Sequence, residues 1–157
     1  MMQKQIYLAG GWFTPKQAAL VKRAVTALQK NPTIGYIHSP QEHQYKGVTE
    51  GHDPEGLFGG YEWANQTYQN DITAMDLADM AVVLWDMTDE DTGTAFEIGY
   101  LNAIHKPIVF VCEDDLQINP INLMLAKGIT QCLTSVDELA MFDFQFVAGE
   151  PYPGLIV

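Results

Sequence analysis

Short apolar runs alternate along this chain with stretches that repeat their apolar residues at helical spacing. That alternation limits the fold more than any other feature. The runs are Gln5 to Gly10, Ile34 to Ile37, Met80 to Trp85, Ile108 to Cys112 and Ile129 to Leu133, each of strand length. Between the first two, Thr14 before Pro15 supplies an N-cap and a proline at the first helical position. Ala18, Ala19, Val21, Ala24, Val25 and Leu28 then recur at helical spacing until Asn31-Pro32 stops them. Tyr61 to Asp76 and Thr92 to Ile104 read as further helices, Pro120 to Leu125 as a short helical turn, and Ser135 as the cap of a last helix from Val136 to Met141. Strands alternating with helices predict a parallel sheet covered on both faces. Five strands with right-handed crossovers fit the flavodoxin-like, doubly wound order 2-1-3-4-5. Strands one and three then lie side by side at the switch point, where open sheets bind ligands, and their tips are Tyr7 to Gly11 and Asp86 to Asp91. The whole chain, 1–157, reads as one domain.

The formal charge of -12, with eight Lys and Arg scattered along the chain, argues against a nucleic-acid partner and disfavours a phosphate-rich ligand. A neutral or cationic small molecule fits better. No apolar run approaches the length that spans a bilayer, and the first residues run into a strand pattern without a signal-peptide core. Cys112 and Cys132, in apolar strand-like runs, read as buried free thiols, which suits the cytoplasm. His38 to Gly60 holds glycines, prolines and Tyr45-Lys46-Gly47, and a loop of that length reads as a lid or binding loop.

The chemistry concentrates where the third run ends in acids, Asp86, Asp89, Glu90 and Asp91, before a helix that carries Glu97. Near a helix N-terminus Glu97 is expected to stay charged, as a nucleophile requires, although a glutamate on the solvent face of an amphipathic helix has the same pattern. Asp91 reads equally as the helix cap and as an acid. Two nearby carboxyl groups suit retaining glycosyl transfer, one attacking a sugar carbon while the other handles the leaving group's proton. Asp71 reads as helix surface. Tyr7 reads as core whose hydroxyl, if buried, needs a partner that a carboxylate would satisfy. Asn122 reads as a turn or cap residue. His38, His43, His52 and His105 lack metal-ligand spacing, Gly10-Gly11 is a poor dinucleotide fingerprint, and there is no Walker loop.

Several stretches, in order and over most of the chain, resemble the nucleoside 2-deoxyribosyltransferases: Ile6-Tyr7 through Gly11-Trp12-Phe13, Asn31-Pro32-Thr33-Ile34, Gln44-Tyr45-Lys46-Gly47, Tyr68 to Asp71, Asp91-Thr-Gly-Thr-Ala-Phe-Glu97-Ile-Gly-Tyr100 and Pro120-Ile-Asn122-Leu-Met124. The resemblance implies an enzyme without metal or cofactor that moves 2-deoxyribose between the purine and pyrimidine bases of 2'-deoxynucleosides. By resemblance Glu97 attacks the anomeric carbon and forms a covalent ester, Tyr7 holds it, and Asp91 protonates the leaving base. Asp71, Gln44, Gly10, Trp12 and Phe13 would belong to the substrate site. Asn122 and Met124 would complete a neighbouring subunit's site within a hexamer built as a trimer of dimers. Where similar family members end in an aromatic residue, this chain ends in Leu155-Ile156-Val157, with Val157 in the position of their terminal carboxylate. A hydrolase of deoxynucleosides or deoxynucleoside monophosphates, and a non-catalytic nucleoside-binding protein, are the competing readings.

Overall fold

In the computed structural model, which describes residues 2–157, five strands form one all-parallel sheet in the order β2-β1-β3-β4-β5. They are β1 (Lys4–Ala9), β2 (Ile34–His38), β3 (Met80–Leu84), β4 (Ile108–Val111) and β5 (Gln131–Leu133). This is the predicted order. Helices α1 (Pro15–Lys30), α2 (Tyr61–Leu77), α3 (Thr92–Ala103) and α4 (Leu123–Gly128) connect them.

Period-two alternation divides the strands between two cores. Ile6, Leu8, Met80, Val82 and Leu84 pack with Leu20, Val21, Ala24 and Leu28 of α1. Tyr7, Ala9, Ala81, Val83 and Trp85 face the other way, onto Met75 of α2 and Ile98 and Leu101 of α3. Tyr7 therefore points toward the two helices that carry Asp71 and Glu97. Full burial of each large side chain contributes roughly 1.5–3 kcal/mol, so these layers fix the sheet on which the site rests.

Helix α1 begins with a complete capping box. The Thr14 hydroxyl accepts from the Gln17 amide at 3.2 Å, and Gln17 Oε1 accepts from the Thr14 amide at 3.2 Å. Gln17 also joins the two strand tips: its Oε1 accepts from the Phe13 amide, and its Nε2 donates to the Asp89 carbonyl at 2.9 Å. Replacing Thr14 by alanine is expected to cost about 1 kcal/mol, lowering Tm by about 2–4 °C in thermal unfolding.

Local boundaries differ where caps outrank apolar pattern. The turn expected at Pro120 to Leu125 is displaced into α4, because the Asn122 side chain accepts from the Met124 amide and starts the helix there. Ile129 terminates α4, so β5 is shorter than the Ile129 to Leu133 run. The last segment, Val136–Ala140, is a 3-10 helix rather than an α-helix. The long loop after β2 contains two 3-10 turns, Pro40–Glu42 and Tyr45–Gly47. No helix among the described residues is long and apolar enough to cross a membrane.

Candidate active site

The tips of β1 and β3 approach closely because Gly10 separates them. Its φ is +153°, and a Cβ there would lie 3.0 Å from the Leu84 Cβ. Gly10 thus lets the backbone of the β1 tip lie against Leu84 at the end of β3. In the crevice at these tips the Tyr7 hydroxyl, fully buried, donates to Glu97 Oε1 at 2.5 Å. The expected need of a buried tyrosine for a carboxyl partner is met across 90 residues of sequence.

The surroundings of Glu97 work against the charged form that its place near a helix N-terminus would favour. Glu97 is the sixth residue of α3, beyond the turn where the helix dipole acts strongly. Burial is the largest influence and raises its pKa from 4.5 to about 8; the Tyr7 hydrogen bond opposes this, and the charges of Asp71 and Asp91 add to it. Burial, then the charges of Glu97 and Asp71, push the Tyr7 hydroxyl far above its ordinary value. Burial and the nearby Asp71 and Asp91 thus favour the protonated form of the half-buried Glu97.

Asp91 is the N-cap of α3: its Oδ2 accepts from the Thr94 amide at 2.7 Å and from the Thr94 hydroxyl at 2.6 Å. The capping reading of Asp91 holds, and it holds beside Glu97. Asp71 is not simply a solvated helix residue. Its Oδ1 lies 3.3 Å from Nε2 of the buried His38. The other acids of the β3–α3 turn have different fates. Asp86 is buried and joined to Lys16 at 2.7 Å; burial alone would raise its carboxyl, but the Lys16 and Thr88 hydrogen bonds hold it below the usual range. Asp89 and Glu90 are exposed.

Beside this cluster opens a cleft of about 690 Å³, within the range of small-molecule sites. Trp12, Phe13, Phe58 and Trp63 supply aromatic walls, with Gln44 and Asp71 as polar groups. The Gln44 amide nitrogen donates to the Pro40 carbonyl at 2.7 Å, fixing that side chain to the loop. Phe58, Trp63 and His38 were not singled out as site residues by sequence reasoning. His38 ends the second strand next to Tyr7 in the predicted strand order, which was the available signal.

Asn122, Met124 and Val157 are not brought to this cleft. They gather on the α4 side, where the Leu123 amide donates to the Val157 carbonyl at 2.8 Å, and Met124 is 77% and Val157 75% exposed. Among the described residues, no group of three or more His, Cys, Asp or Glu is arranged to hold a metal.

A flavodoxin-like sheet whose switch-point crevice holds a carboxyl against a buried tyrosine, beside an aromatic cleft, defines an α/β protein suited to carboxyl chemistry on a small ring-bearing molecule. The particular family follows from comparison with known proteins. The family described as nucleoside 2-deoxyribosyltransferase matches residues 6–142. A nucleoside deoxyribosyltransferase of Limosilactobacillus fermentum is 40% identical over 153 residues, covering 95% of this chain and 91% of that one. Its counterpart from Lactobacillus leichmannii is 34% identical over 158 residues, covering 99% of each. The structure of a 2-deoxyribosyltransferase from Bacillus psychrosaccharolyticus superposes with a TM-score of 0.78 at 29% identity, covering 94% of this chain and 98% of that one. The chain belongs to the nucleoside 2-deoxyribosyltransferase family, and with it to the transferases.

Proposed function

We propose that this protein transfers 2-deoxyribose from one nucleobase to another by a retaining double displacement at Glu97. The observation that carries the reading is the buried Tyr7–Glu97 hydrogen bond at 2.5 Å. It fixes one carboxyl oxygen and leaves the other to meet C1' of a sugar lodged in the crevice.

The stoichiometry favours a glutamate that is neutral at rest. In the first half-reaction Glu97 forms an ester bond to C1', the C1'–N bond breaks, and its electron pair remains on the base. Glu97 gives up one proton and the departing base gains one, so solvent need neither supply nor remove any. In the second half-reaction an entering base bonds to C1' through nitrogen, the ester breaks, and the proton that the base sheds returns to Glu97. The oxocarbenium character that develops at C1' is stabilised by the adjacent carboxylate and the charges of Asp71 and Asp91. Asp91, beside Glu97 at the α3 cap, is our candidate for passing the proton to the leaving base. Trp12, Phe13 and Gln44 line the base cleft in this reading, with Asp71 at its inner end. Asn122, Met124 and the Val157 carboxylate serve the site of a neighbouring subunit in a hexamer of three dimers; their exposure on the α4 side supports that assignment. The two free cysteines suit the reducing cytoplasm.

Incubating a deoxynucleoside with and without a second base tests the proposal. Transfer predicts that a new deoxynucleoside accumulates only with the second base, while free deoxyribose stays low. Free deoxyribose appearing at the same rate in both mixtures would identify a hydrolase instead.

A further inference from the structure

Three carboxyl groups, Glu97, Asp71 and Asp91, surround one crevice. Among the described residues, His38 is the one side chain able to carry positive charge within ion-pair distance of any of them. It sits at the end of β2 and pairs in register with Tyr7 across the sheet. Its ring is stacked with Tyr7, at 5.6 Å and 11°, and with His43, at 4.3 Å and 27°. His43 is itself anchored: its Nδ1 lies 2.9 Å from the Ser39 carbonyl and its Nε2 lies 3.1 Å from the Tyr36 hydroxyl. That geometry suits an Nδ1–H donating to the carbonyl while the hydroxyl donates into Nε2. Two stacked neighbours restrain the ring with its Nε2 facing Asp71 Oδ1 at 3.3 Å, an arrangement in which an Nε2–H donates to the carboxylate.

The consequence falls on Asp71. A carboxylate lining an aromatic cleft, and repelled by its neighbours, would turn freely without an anchor. Asp71 lines the cleft, and with Oδ1 engaged by His38 its other oxygen is the one left to accept from a ligand. We infer that His38 is a positioning residue that presents Asp71 as a hydrogen-bond acceptor, so that the cleft favours bases carrying an exocyclic amine over bases without one. The inference rests on reading the cleft as the base site. An acceptor that a bound base leaves unpaired loses its water without replacement, which is how a polar site rejects a ligand lacking the matching donor.

The probes are adenine and unsubstituted purine, which differ by that amine alone, offered as acceptors with deoxyinosine as donor. Wild type is expected to show a lower KM for adenine than for purine. His38→Leu is expected to raise the adenine KM about tenfold, the scale of one lost hydrogen bond to a charged group, and to leave the purine KM in place. His38→Gln, whose Nε2 reaches the position of the imidazole Nε2, is expected to restore the preference; a purely structural role for His38 would not discriminate between the two bases. Quenching of Trp12 and Trp63 fluorescence by the same two bases reads the preference without turnover, so a failure of the transferase reading is separable from a failure here. Equal affinity of wild type for adenine and purine overturns the inference. So does a His38→Leu loss that falls on kcat equally for both bases, or a His38→Gln variant that behaves like His38→Leu.

Discussion

Replacing Glu97 by alanine is expected to reduce transfer by at least about a thousandfold, while the protein stays folded. The size follows from the chemistry. If Glu97 forms the bond to C1', its removal deletes a step that no neighbour can take over. Asp91 is committed to capping α3 through two hydrogen bonds to Thr94, and Asp71 is turned toward His38. Glu97→Gln should be nearly as inactive, because the amide keeps an acceptor for the Tyr7 hydroxyl but is a poor nucleophile. A direct observation accompanies the kinetics. Wild type denatured while turning over a slow substrate should carry the mass of one deoxyribosyl group on the peptide containing Glu97, and neither variant should. Transfer persisting in Glu97→Ala within tenfold of wild type would remove Glu97 from the mechanism.

Much of this arrangement is legible in the sequence because it follows from local rules. The order of the sheet comes from strand and helix alternation, and Thr14-Pro15 and Ser135 announce their caps outright. The Asp91-to-Glu97 stretch is recognisable through its resemblance to a known family, since on pattern alone Glu97 reads equally as helix surface. The charge state of Glu97 is not, because it depends on how completely its neighbours enclose the carboxyl, and Tyr7 and Asp71 come from two other parts of the chain. Helix position alone does not report that burial opposes the charged form. His38 is hidden for a related reason. The strand order places the end of β2 beside Tyr7, but nothing in the local pattern reports that the His38 side chain stacks on Tyr7 and His43 and meets Asp71. Phe58 and Trp63 become cleft walls only through the path of the loop between β2 and α2, and that path is set by turns whose pattern carries no apolar periodicity.

The raised Glu97 pKa also makes a stability prediction whose sign is opposite to that of a salt-bridged carboxylate. The unfolded chain releases the Glu97 proton near 4.5, whereas the folded chain holds it to about 8. Between those values the native state binds the extra proton, so stability falls as pH rises. The contribution is fully present below about pH 4.5, is lost progressively through that window, and is absent above it. Burial that costs the folded protein an ionised Glu97 is therefore relieved when the side chain cannot ionise. Glu97→Gln should melt close to wild type at pH 5 but above it at pH 8.5. Allowing for the half-buried position, the difference should be about 2–3 kcal/mol, or about 5–10 °C in Tm. Groups shared by both proteins cancel in the comparison, so the change in the difference with pH reports Glu97 alone. Melting curves that stay parallel from pH 5 to pH 8.5 would mean that Glu97 is ionised in the folded protein at neutral pH. The proton carried away by the departing base would then have to come from elsewhere. The trade-off is physical: a carboxyl kept from water strongly enough to hold a proton weakens the fold at alkaline pH, and in the proposed mechanism the same enclosure would sharpen its attack on the sugar.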